Sequence, residues 1–133
     1  MTRLFPDYRA QEEAHFRRTR IFPIMHVIAM RREVYEAHRW VATTLLKAFE
    51  EAKARSLRRL ADITASHAPL PWLDEYIART RELFGGDPWP YGIEGNRATL
   101  EAFLQYAFEQ GVCHRRLAPE DLFPPEVQST VKV

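Results

Sequence analysis

The chain has 133 residues, 46% of them hydrophobic, which is enough for one domain and gives no reason for a second. Nineteen Lys and Arg against eighteen Asp and Glu leave a formal net charge of +1, so nothing in the balance favours nucleic acid or a membrane surface as partner. The basic pairs Arg17-Arg18, Arg31-Arg32, Arg58-Arg59 and Arg115-Arg116 are separated by acids and read as solvated faces with local ion pairs.

Tyr8 to about Arg18 reads as a short charged helix closed by Thr19-Arg20. Ile21 to Met30 follows as the strand candidate, with Ile24, Val27 and Ile28 supplying β-branched residues and little polar content apart from His26. Such a composition suits a strand buried on both faces. Arg32 to about Ala37 resembles a brief helical turn.

The longest element runs from Trp40 to about Ile63. Val41, Leu45, Phe49, Ala52, Leu57 and Leu60 recur near helical spacing, with Glu50, Glu51, Lys53, Arg55, Arg58 and Arg59 on the other face. Ala68-Pro69-Leu70-Pro71 ends that unit, and Trp72 to Phe84 makes a second amphipathic helix stopped by Gly85-Gly86. Asn96 is a good N-cap for a third, striped by Leu100, Phe103, Leu104, Ala107 and Phe108 and ended at Gly111. Pro119 can open a short turn through Leu122-Phe123, and residues 124–133 are expected to fray.

Cys113 is the single cysteine, so no internal disulfide can form and a cysteine-based zinc site lacks ligands. Its basic neighbours His114, Arg115 and Arg116 could activate the thiol, but an incidental reduced cysteine is the plainer reading and suits cytoplasm. No apolar run approaches the ~20 residues of a membrane span. The first twenty residues are charged throughout and carry no secretory signal, so the expected location is cytoplasmic.

Two aromatic-proline segments stand out: Ile21-Phe22-Pro23-Ile24-Met25-His26 and Asp87-Pro88-Trp89-Pro90-Tyr91-Gly92-Ile93-Glu94-Gly95-Asn96. Proline keeps both out of helix interiors and fixes aromatic groups and one histidine on irregular or extended backbone. Rigidly held loop groups are where binding and catalysis concentrate. A lone strand among helices poses a separate problem, because its backbone groups must pair. Either it pairs in a dimer, or the rest of its sheet lies on sequence absent here, which favours a fragment.

A succession of short motifs begins with Arg3-Leu4-Phe5-Pro6-Asp7-Tyr8-Arg9 and Ile21-Phe22-Pro23-Ile24-Met25-His26, and continues with Trp40-Val41-Ala42 and Lys47-Ala48-Phe49-Glu50-Glu51-Ala52-Lys53. Trp89-Pro90-Tyr91-Gly92-Ile93-Glu94, Asn96-Arg97, Thr99-Leu100-Glu101, Phe103-Leu104, Glu109-Gln110-Gly111 and Pro119-Glu120-Asp121-Leu122-Phe123 complete it. Taken in order, these motifs resemble the 4,5-dihydroxyphthalate decarboxylase family. The resemblance implies an α/β fold like type II periplasmic-binding proteins, with two lobes around a ligand cleft. Residues 1–133 would be a mostly α-helical C-terminal fragment of it with about one strand. Residues 21–30 would then be the strand returning from the second lobe to the first. The implied partners are a small aromatic carboxylate and either a missing N-terminal lobe or a second copy of the chain.

The implied activity is cofactor-independent decarboxylation of 4,5-dihydroxyphthalate or a related acid, giving protocatechuate, with the fragment inactive alone. That chemistry needs a group that pushes electron density from a ring hydroxyl and an acid that protonates the ring carbon. It also needs donors that hold the remaining carboxylate. His26 is the candidate acid, since an imidazole titrates near neutrality; its bland alternative is a buried histidine satisfied by backbone. Tyr91 could stack on an aromatic substrate and bond it through its hydroxyl, with Gly92 admitting close approach, or it could simply be a core aromatic. Trp89 is a second substrate-binding candidate, with packing the commoner role.

Arg97 at a helix start could pair with a carboxylate, or be a surface arginine. His15, His38, His67 and His114 receive no role, and no spacing supports a metal site. The same architecture also serves the solute-binding components of ABC-type importers, and fold alone does not separate the two. A truncated gene product without activity is the third alternative.

Overall fold

The computed structural model describes residues 4–62, 64 and 68–128. Among the described residues there are five α-helices: α1 (Tyr8–Thr19), α2 (Arg32–Ala37), α3 (Trp40–Leu60), α4 (Leu73–Phe84) and α5 (Arg97–Glu109). A 3-10 turn at Glu94–Asn96 leads into α5, and two more, at Pro119–Asp121 and Pro125–Val127, follow it. The helices follow the stripes and stops in the sequence. Ala, Leu, Glu, Lys and Arg fill α3, all strong helix formers. At the end of α4, Gly85 adopts φ 68°, the left-handed turn that glycine enters without steric cost. The neighbouring Gly86 N–H then returns to the Arg81 carbonyl at 2.9 Å.

The expected strand at 21–30 is not formed, and no strand occurs among the described residues. The segment runs extended from α1 to α2 without a ladder. Among the described residues its backbone hydrogen bonds lie at its start: Ile21 N–H donates to Thr19 Oγ1 (3.2 Å), and Phe22 N–H donates to Thr99 Oγ1 (3.0 Å) while the Phe22 carbonyl accepts from the same hydroxyl (3.2 Å). β-branched residues fit a pleated, half-buried surface but do not create one. With no neighbouring strand to pair with, the backbone from Ile24 to Met30 faces water. Nor is the segment buried on both faces: Val27 is 69% and Ile28 62% exposed, and His26 is exposed with them. What the chain shows is a mostly helical unit; the two-lobed α/β arrangement is not visible in it.

Two packed regions hold the helices. In the first, Phe16 of α1, Phe22 of the extended segment and Phe84 of α4 form a ring cluster with centroids 4.5 to 6.2 Å apart. Glu13, buried one turn before Phe16, takes two hydrogen bonds from Arg79 of α4, at 2.7 and 2.8 Å. Arg9 and Arg17 flank the same carboxylate at 3.2 Å. The second region is built on α5, whose Leu100, Leu104 and Ala107 are buried beside Ile93, the most enclosed side chain at 2% exposure.

The chain end, expected to fray from 124, is docked as far as Gln128. Its Nε2 donates to the carbonyls of Glu120 (3.0 Å) and Phe123 (2.9 Å), and its own carbonyl accepts Ile93 N–H at 3.0 Å. Glu126 accepts the Tyr35 hydroxyl at 2.8 Å, tying this end to α2. Residues 129–133, and His67, lie outside the described residues.

Candidate functional site

The second aromatic-proline segment, residues 87–96, is a closed loop between α4 and α5, and its shape follows from a few ties. Asp87 Oδ1 accepts Trp89 N–H at 3.0 Å, the turn that an aspartate side chain makes with backbone two residues on. Pro88 is buried. At the far end Asn96 does not cap α5 with its side chain, as its position suggested. Its Nδ2 instead donates to the carbonyls of Pro90 (2.6 Å) and Gly92 (2.8 Å), folding the loop on itself. Gly92 turns at φ 82°, and a Cβ on Gly95 would lie 2.6 Å from Pro90 Cβ, so both glycines are needed by the loop's own closure.

Lys53 of α3 meets this loop from below. The sequence placed it on the solvent face, yet its side chain is only 13% exposed. Nζ donates to Asp87 Oδ2 (2.7 Å) and the Trp89 carbonyl (3.0 Å), and pairs with Glu50 Oε2 at 2.9 Å. It also sits 4.9 Å from the centre of the Tyr91 ring, a cation over an aromatic face. Burial disfavours the charge on Lys53, but the hydrogen bonds to Asp87 and Glu50 outweigh it and raise its pKa above the ordinary range. Tyr91 is half-buried, its ring 6.4 Å from Phe49 of α3, whereas Trp89 is 58% exposed.

Arg97 opens α5 beside a shallow depression of about 270 Å³ lined by Ile93, Glu94, Arg97, Glu120, Pro125 and Gln128. Its guanidinium is already engaged: Nη2 donates to Glu94 (2.6 Å) and Glu120 (2.7 Å), and Nη1 lies 3.6 Å from Glu101. Donating to the Glu94 and Glu120 carboxylates raises its pKa further, and accepting from Arg97 lowers that of Glu120.

The four sequence candidates therefore fall into three settings. Trp89 and Tyr91 share the Lys53-bound loop. Arg97 stands at the loop's exit among carboxylates. His26 lies apart on the extended segment, and among the described residues no ring contact, hydrogen bond or ion pair joins it to the other three. The first turn of α5 nevertheless links the two segments. Asn96 grips the loop, and Thr99, three residues on, binds Phe22 at the start of the stretch that carries His26. Lys53, Asp87 and Thr99 were missed by sequence reasoning; the Asp-Pro pair opening the loop was the one local signal. No group of His, Cys, Asp and Glu able to hold a metal ion occurs among the described residues, and no helix there is long and apolar enough to cross a membrane.

No protein-family model matches the chain. Against individual proteins, it is 35% identical over 130 residues to 4,5-dihydroxyphthalate decarboxylase of Comamonas testosteroni, an alignment covering 98% of this chain. The likeness carried by the motifs thus extends over nearly all of the sequence, and the chain is a relative of that decarboxylase. It spans 39% of that protein's length.

Proposed function

We propose that this chain corresponds to the C-terminal part of a decarboxylase acting on 4,5-dihydroxyphthalate or a related aromatic carboxylate. The observation that carries the reading is the 35% identity sustained over 98% of the chain. In this reading the complete protein has two lobes around a cleft, and the reaction runs without a cofactor. The ring carbon loses its carboxylate as carbon dioxide, keeps the bonding electrons and takes a proton, giving protocatechuate.

His26 supplies that proton. Tyr91 stacks on the substrate and bonds it through its hydroxyl, and Trp89 extends the aromatic wall. Arg97 receives the retained carboxylate by exchanging one of its present partners, Glu94 or Glu120. Support for an aromatic wall comes from the closure of the 87–96 loop, whose ties hold Trp89 exposed and Tyr91 half-exposed.

The test is carbon dioxide release from 4,5-dihydroxyphthalate. We expect release by the longer polypeptide in which this sequence is joined to the remainder of such a decarboxylase, and none by residues 1–133 alone. Tight binding of the substrate by the longer polypeptide without release would favour the solute-binding role instead.

A further inference from the structure

We propose that Lys53 is a positioning residue that sets the Trp89–Tyr91 loop, translating the rigidity of α3 into the placement of the two aromatic rings. The proposal rests on the reading of Trp89 and Tyr91 as substrate-binding groups, and adds a residue to that site.

Three observations converge on Lys53. First, the ammonium is engaged three times: it donates to Asp87 Oδ2 and to the Trp89 carbonyl, and it is ion-paired with Glu50 Oε2 at 2.9 Å. These contacts all run to α3 and to the loop itself, so the group acts on the loop's placement. Second, the ties form a closed circuit. Asp87 accepts from Lys53 through one oxygen and from Trp89 N–H through the other, while Lys53 takes the Trp89 carbonyl. The peptide groups on both sides of Trp89 are thereby fixed by one charge pair. Third, Nζ stands under the Tyr91 ring, and Phe49, one turn before Lys53 on α3, borders the same ring. The loop thus rests on a single helical turn, with Asn96 closing it from the other end. A lysine that merely neutralised a surface carboxylate would be exposed and would leave the carbonyl and the ring untouched.

The full chain supplies its own reporter. Replacing the exposed Trp40 and Trp72 by phenylalanine leaves Trp89 as the single tryptophan. In that background Lys53→Met is expected to abolish the near-UV circular dichroism of Trp89 and lower its fluorescence anisotropy, with the far-UV helical signal retained. Lys53→Arg, which keeps the charge and donors, is expected to restore much of both. Where Lys53→Met costs the helical signal, Asp87→Asn on the loop itself cuts the same circuit and should weaken the Trp89 signals. Unchanged Trp89 signals in a folded Lys53→Met, or in Asp87→Asn where the first variant unfolds, overturn the proposal.

Adding 4,5-dihydroxyphthalate to the same proteins separates it from the functional reading. If the parent chain binds the acid, Lys53→Met should bind it more weakly than Lys53→Arg. If the parent shows no binding, the substrate assignment fails for this chain, and the Trp89 signals still decide the role of Lys53.

Discussion

The hydroxyl of Thr99 serves Phe22 twice, accepting its N–H at 3.0 Å and donating to its carbonyl at 3.2 Å. A threonine on a helix here does for one residue what a neighbouring strand would do for a whole segment. The bond fixes the base of the extended stretch against α5 and presses Phe22 onto Phe16 and Phe84. Beyond it the chain from Ile24 to Met30 is left to water.

Thr99→Val keeps the volume and removes both bonds, leaving a part-buried N–H and carbonyl of Phe22 unpaired. The expected cost is about 1 to 3 kcal/mol. Thermal unfolding should register it, and amide exchange at Phe22 should accelerate more than at residues inside α5. Equal protection at Phe22 in both proteins would mean that ring packing alone holds the segment.

Glu13 ties α1 to α4, and the tie depends on pH. Arg79 hydrogen bonds, against the opposing effect of burial, lower the carboxyl from 4.5 to about 2. A depressed folded pKa contributes stability that is complete above the unfolded value and is lost as pH falls through the folded one. Glu13→Gln should therefore lower the melting temperature at neutral pH. The gap between the two proteins should close as pH falls from about 4.5 towards about 2. A gap that persists unchanged through that window would show that Glu13 acts through packing rather than charge.

The helices were legible because their signals are local. Apolar stripes and glycine stops placed α3, α4 and α5 within a few residues, and Arg32–Ala37 was read as a helical turn with the bounds it has. The 21–30 segment was misread because a strand is a relation between two segments, and sequence composition reports only one of them. Asn96 was misjudged for a related reason: its position before a helix predicts a cap, but the Pro90 and Gly92 carbonyls offer its amide a nearer use. Lys53 was placed with the solvent-facing charges because helical spacing cannot reveal a loop that folds over that face 34 residues later.

The exposed apolar side chains of the extended segment predict how the chain behaves in solution. Ile24, Met25, Val27 and Ile28 all remain open to water, on both sides of an unpaired backbone. We expect binding of a dye that reports apolar surface and self-association that grows with concentration. Val27→Lys should reduce both while leaving the helical signal intact. A strictly monomeric parent chain that binds no dye would show that the segment is covered in solution by some other part of the molecule.

The last prediction separates the roles proposed for His26 and Tyr91, and under the proposed function it is tested in a longer polypeptide that joins this sequence to the remainder of such a decarboxylase. An acid used only as the ring carbon gains its proton acts in the transition state. Its loss lowers the turnover number and leaves substrate affinity nearly untouched. His26→Gln keeps polarity but removes the proposed proton donor, so turnover should fall steeply. Tyr91→Phe keeps the ring that rests over Lys53 and loses one hydroxyl. It should weaken substrate binding by about 1 kcal/mol, the worth of one neutral hydrogen bond, with turnover little changed. The two variants therefore move different constants, which a shared effect on folding would not do. An unchanged rate in His26→Gln would make the histidine structural and send the search for the acid to the part of the protein beyond these 133 residues.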